Sequence, residues 1–136
     1  MDCIFCRIIA GEIPSEKVYE DQQTLAFLDI NPINPGHTLV VPKEHFEDLL
    51  STPDEVLAGL MVVVKKIGQA ICSGVQAQGF NVGLNNGQAA GQVVFHAHFH
   101  VMPRFGADSH RLWQGKKYQA GEAAAVGNKL RKAIQV

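Results

Sequence analysis

A surplus of charge of either sign is absent from this chain: 12 Lys and Arg stand against 13 Asp and Glu, a formal net charge of -1. Without a global positive field to neutralise a phosphate backbone, non-specific DNA or RNA binding is not expected, and a small ligand is favoured over a polymer. Long apolar runs are missing too. The longest, Leu60 to Val64, is far below the roughly 20 residues of a membrane span, and Asp2, Arg7 and Glu12 interrupt the N-terminus, so neither insertion nor an export signal is expected. Cysteine is scarce and odd in number. Cys3, Cys6 and Cys72 do not make a disulfide framework in a chain large enough to bury a core, which points to a reducing, cytoplasmic setting.

What is present is 46% hydrophobic and 18% charged residues, with no repeat, low-complexity run or composition shift. A single domain over residues 1–136 is expected, with a core over 1–105 and a C-terminal loop and helix over 106–136. The element order reads as α+β. Ser15–Tyr19 and Thr24–Leu28 flank Asp21-Gln22-Gln23 as a hairpin, and His37–Val41 is a β-branched run between Gly36 and Pro42. Short strand-like segments thus come first. Thr52-Pro53-Asp54-Glu55 carries the pattern of a helix start, with Thr52 as N-cap, Pro at the first helical position and Glu three residues on. Leu57, Leu60, Met61, Val64, Ile67 and Ile71 then form an apolar stripe read as core, with Lys65, Lys66 and Gln69 turned away. Asn81–Leu84 and Phe95–Met102 read as two further strands, Gly121–Ile134 as a terminal helix, and Cys72 as an ordinary buried thiol.

Chemistry concentrates in His96-Ala97-His98-Phe99-His100-Val101. On a strand, alternate residues share a face, so the three imidazoles would line one side while the apolar set packs inward. Side chains two residues apart start about 6.6 Å from one another at the backbone, too far for one tetrahedral ion to hold all three. The histidines should therefore divide the labour. Neutral imidazole suits nucleophilic and acid–base work near pH 7, and phosphoryl chemistry is the natural candidate. Just upstream, Asn85-Asn86-Gly87-Gln88-Ala89-Ala90-Gly91-Gln92 combines glycines that permit close backbone approach with amide donors for phosphate oxygens.

Gly91 to Met102, with its His-x-His-x-His core, resembles the signature of the histidine-triad (HIT) family. Ile4–Ile9, Gly11–Pro14, Ala26–Pro32 and Gly36–His45 resemble further landmarks of that family in the same order, so the likeness covers most of the chain up to Arg104. It is closest to the branch of histidine-triad nucleotide-binding proteins with an N-terminal CxxC. The resemblance implies an antiparallel sheet of about five strands flanked by helices, and a homodimer. It also implies a nucleotide hydrolase that opens a bond at the α-phosphorus of a purine nucleoside phosphoramidate, or of an adenylylated small molecule, through a covalent nucleotidyl-histidine. Three alternatives stay open: cleavage of dinucleoside polyphosphates, nucleotidyl transfer to an acceptor, and a non-catalytic nucleotide-binding interaction module.

The same resemblance assigns roles. His98 would be the nucleophile, His100 would contact the α-phosphate, and His37 would join the proton network. Asn85 and Gln92 would hold phosphate oxygens with no metal required at the phosphorus, and Asp29 would bind the ribose hydroxyls. Phe5, Ile8, Phe27 and Ile30 would wall the base, with core packing an equal reading for the first three. Cys3 and Cys6 would bind a structural zinc together with His45 and His96, free cysteines being the alternative. Val93 departs from relatives that carry Ser or Thr there, and Trp113, Lys116, Lys117 and Tyr118 receive no role.

Overall fold

Asp21 turns the first hairpin. In the computed structural model, which describes residues 2–134, its carboxylate accepts the amides of Gln23 and Thr24, each at 2.8 Å. That Asx turn joins β1 (Lys17–Glu20) to β2 (Thr24–Leu28). β2 pairs antiparallel with β3 (Thr38–Pro42), β3 with β5 (Phe99–Arg104), and β5 with β4 (Gly79–Gly83). The five-stranded sheet has the order β1-β2-β3-β5-β4 and is antiparallel throughout.

β2 and β3 are buried on both faces because a helix covers each side. On one face α2 (Asp54–Gly74) packs Leu60, Val63, Val64, Ile67 and Ile71 against Ala26, Val40, Phe99 and Val101. On the other, α1 (Ile4–Ile9) packs Phe5 and Ile8 against Leu25, Phe27, Leu39 and Val41. Residues alternate between the faces along each strand. Leu39 lies opposite His100 in the β3–β5 register, which places His100 on the α1 side. α3 (Glu122–Ala133) closes the described chain and has no buried residue.

Several elements differ from the sequence reading. The chain opens with a helix, not a strand: Cys3 caps α1, its Sγ accepting the Cys6 amide at 3.4 Å. β5 begins at Phe99, four residues later than expected, so His96 and His98 precede the strand. Pro42 has no N–H to extend the β3–β5 ladder, and the Ala97 amide donates instead to the Phe46 carbonyl at 2.7 Å. β4 begins two residues earlier than expected, at Gly79.

Thr52 does not cap α2. Its hydroxyl donates to the Asp48 carbonyl at 2.6 Å, the helix starts after Pro53, and the expected capping box does not form. Within α2, Met61 is 49% exposed while Val63 and Gly68 face the sheet. Gly68 leaves room for the Phe80 ring, whose tip a Cβ would meet at 2.5 Å, so a larger residue there would have to displace that half-exposed ring. Cys72 is exposed, not buried. By length and composition α2 could cross a bilayer, but one side of it is committed to the sheet.

Candidate functional site

The His-x-His-x-His stretch splits into two centres, and backbone groups decide which ring nitrogen faces which centre. His96 is fully buried, and its Nε2 lies 2.8 Å from the Pro42 carbonyl. A carbonyl only accepts, so Nε2 carries the proton and Nδ1 presents a lone pair. That Nδ1 lies 3.5 Å from Cys3 Sγ, 3.6 Å from Cys6 Sγ and 3.1 Å from His45 Nδ1. Cys6 Sγ is 3.4 Å from His45 Nδ1. For a tetrahedral ion with Zn–N and Zn–S bonds of about 2.0–2.3 Å, the ligand atoms stand about 3.3–3.8 Å apart, so the donor set matches a structural metal site in spacing and chemistry. Burial followed by the neighbouring Cys3 pushes the Cys6 thiol up, the cost that a bound cation reverses. Cys3, Cys6, His45 and His96 thus form a possible metal site.

His98 is oriented the other way. Its Nδ1 donates to the His96 carbonyl at 2.7 Å, which leaves Nε2 unprotonated in the neutral ring. Burial holds its pKa below the usual imidazole value, against the opposing effects of that hydrogen bond and of Asp29. Phe5 stands edge-on to the His98 ring at 5.0 Å, to His96 at 6.0 Å and to Phe27 at 5.5 Å, so one α1 side chain braces both centres.

His100 neighbours His98 with ring centres 5.0 Å apart. Its Nδ1 lies 2.9 Å from His37 Nε2, and His37 Nδ1 accepts the Ile33 amide at 3.1 Å. The Ile33 amide fixes the chain of tautomers: His37 bears its proton on Nε2 and donates it to His100 Nδ1, so the remaining N–H of His100 is at Nε2. Burial, then the neighbouring imidazoles His98 and His37, lowers His100 to about 4. Burial also lowers His37, opposed by Asp29, whose Oδ2 is 3.6 Å from His37 Nε2. The relay is therefore neutral at pH 7.

Asp29 spends one oxygen on the Asn31 amide at 2.8 Å and keeps capacity on the other. Ile30 beside it is 90% exposed, while Phe5, Ile8 and Phe27 are buried in the α1-side core. Gln92 requires a correction. Its side chain is buried and fully engaged, Oε1 accepting from the Gly87 amide at 2.8 Å and Nε2 donating to the Glu47 and Val94 carbonyls. It builds the loop and has no amide hydrogen left for a phosphate. Asn85 makes no side-chain hydrogen bond among the described residues and lies against Gly91, whose φ of +93° suits glycine. Val93 is exposed on the same loop.

The orienting groups escaped the sequence reading: the Pro42 and His96 carbonyls, the Ile33 amide, and the edge of Phe5. No residue type announces a carbonyl that points at a ring nitrogen. CxxC spacing was the available signal for α1, since positions three apart share one side of a helix.

The sequence pattern of the HIT domain matches residues 10–107. An adenylylsulfatase from Arabidopsis thaliana is 46% identical over 112 residues, 82% of this chain and 56% of that protein. An adenosine 5'-monophosphoramidase from Candida albicans is 45% identical over 106 residues, 75% of this chain and 70% of that protein. Among solved structures, a HIT family protein from Bacillus subtilis superposes with a TM-score of 0.92 at 41% identity, covering 100% of this chain and 99% of that one. A zinc-bound histidine triad family protein from Mycobacterium smegmatis does so with a TM-score of 0.79 at 39% identity, covering 98% and 99%. With the domain pattern matched over most of its length and the whole fold shared, this chain belongs to the HIT domain family.

Proposed function

We propose that the protein hydrolyses purine nucleoside phosphoramidates or related adenylylated small molecules through a transient nucleotidyl-histidine on His98. One observation carries the reading: the His96 carbonyl holds the Nδ1 proton of His98 and thereby frees Nε2 as a neutral nucleophile. His98 Nε2 attacks the α-phosphorus and the bond to the leaving group breaks, the departing amine taking up a solvent proton that the second step returns. Water then attacks the same phosphorus, the P–N bond to the imidazole breaks, and the nucleoside monophosphate leaves. His100 Nε2–H and the free Asn85 amide hold non-bridging oxygens as charge builds, and Asp29 accepts the ribose hydroxyls. Ile30 is exposed where a base would cover it.

Zinc is the metal that suits two thiols and two imidazoles, and on this reading it ties α1 to the segment before β5 without touching the substrate. The adenylylsulfatase and monophosphoramidase relatives support the substrate class, and the zinc-bound neighbour supports the metal. A homodimer accounts for the apolar side chains that the single chain leaves open after β5, among them Leu112, Trp113 at 93% exposure and Leu130.

The test is intact-protein mass spectrometry after acid-free quenching with adenosine phosphoramidate, beside AMP release, for wild type and His98→Ala. An adenylyl adduct and turnover in wild type, both absent from the variant, support the reading. Binding without adduct or turnover, across phosphoramidates and dinucleoside polyphosphates alike, favours a non-catalytic nucleotide-binding module.

A further inference from the structure

The segment that follows β5 is tied to the catalytic relay by a chain of hydrogen bonds that the hydrolytic reading leaves unused. Arg104, at the end of β5, grips Asp108 with two parallel bonds, Nε to Oδ2 at 3.0 Å and Nη2 to Oδ1 at 2.8 Å. Its Nη1 donates to Asn81 Oδ1 at 2.8 Å and its Nη2 also donates to the His110 carbonyl at 2.7 Å. The Asp108 carboxylate further accepts the Phe105 amide, the His110 amide and Asn34 Nδ2. This hub holds His110 so that its Nε2 donates to the Ile33 carbonyl at 2.6 Å.

Ile33 is the residue whose own amide donates to His37 Nδ1. The two peptide planes flanking the Ile33 Cα are thus held from opposite ends, one by His110 and one by His37. Asn34 secures the same turn through the Pro103 carbonyl at 2.9 Å, and its own carbonyl accepts the His37 amide at 3.1 Å. If the Ile33 amide swings away, His37 can take the opposite tautomer, with its proton on Nδ1. His37 Nε2 then accepts from His100 Nδ1–H, and His100 Nε2 loses the hydrogen that would meet a phosphate oxygen.

We infer that His110, held by the Arg104–Asp108 pair, is a positioning residue that keeps His37 and His100 in their reactive tautomers through Ile33. The inference rests on the proposed role of His100 at the phosphate, but its first readout does not. In the uniformly 15N-labelled protein, long-range proton–nitrogen spectra at neutral pH report the tautomer of each ring without substrate, and amide spectra report Ile33. Wild type is expected to show Nε2–H rings at His37 and His100. In His110→Phe both shift toward a mixture, the Ile33 amide resonance moves, and kcat for adenosine phosphoramidate falls about fivefold with KM little changed, the scale of one ordinary hydrogen bond. His110→Gln keeps an N–H donor at similar reach and is expected to restore tautomers and rate to within about twofold of wild type. Unchanged tautomers of His37 and His100 in His110→Phe overturn the inference, whatever the rate does. Wild-type protein with the expected tautomers but no turnover overturns the hydrolytic reading and leaves the positioning intact.

Discussion

The two histidine centres are built from one five-residue stretch, yet opposite ring nitrogens are claimed by the backbone. At His96 the Pro42 carbonyl takes Nε2 and turns Nδ1 toward two thiols and His45; at His98 the His96 carbonyl takes Nδ1 and leaves Nε2 free. The first centre is closed, with every inward atom facing another donor. The second is open, ending in His100 and an Asp29 carboxylate with an oxygen to spare. A side chain's identity set neither role. The position of one carbonyl did, by dictating where the single imidazole proton resides.

The comparison breaks most completely at His98. His98→Ala is expected to lower hydrolysis by about a thousandfold or more, leave nucleotide affinity within a few-fold, and leave metal content unchanged. AMP release, calorimetric titration and elemental analysis check the three. Cys6→Ala should do the reverse: the metal is lost and the thermal midpoint drops by about 10 °C or more, while protein still folded below that midpoint keeps hydrolysing. Loss of activity at full foldedness would mean that the centres are not separable.

His37→Gln sharpens the contrast within the open centre, since it removes the imidazole whose Nε2–H orients His100. A fall in kcat of about tenfold with unchanged metal content is expected, checked by steady-state kinetics. Acid pH addresses the same relay. The folded-state value of His100 is lowered from 6.5 to about 4, so the unfolded chain takes up a proton first as pH falls. Its contribution to stability is complete above about 6.5 and is lost progressively toward about 4; His37, also lowered, adds to the same slope. Thermal midpoints measured across that window should decline less steeply in His100→Gln than in wild type. The smallest effect is expected from Phe5→Leu, which removes the ring edge shared by both centres: a few-fold in rate and a few degrees in midpoint, moving together.

The α1 helix shows why part of this was hidden in the sequence. Cys-Ile-Phe-Cys-Arg-Ile-Ile mixes β-branched and aromatic residues, and a six-residue helix has little intrinsic stability. It forms because Cys3 caps it and Phe5 and Ile8 bury against β2 and β3, contacts distant in sequence. The start of β5 was hidden for a similar reason. Alternation in Phe95–Met102 reads as one strand, but Pro42 opposite it cannot continue the ladder, and the chain bends to bring His96 to the cysteines. Gln92 resembled a phosphate donor by type and neighbourhood, and only its three partners reveal that it holds the loop.

Local pattern alone determined the hairpin at Asp21, the long amphipathic helix, the two strands after it in outline, and the residue types available for chemistry. Those features depend on neighbours within a few positions, where turn chemistry and periodicity act. The split of three histidines into two centres, the tautomer of each ring, and the tie from His110 through Ile33 to His37 were decided only in three dimensions. His96 and Ile33 depend on groups far along the chain, the Pro42 carbonyl and the His110 ring, while His98 and His37 are set by backbone groups two and four residues away; in every case it is the folded path of the backbone that aims the group at the ring or carbonyl.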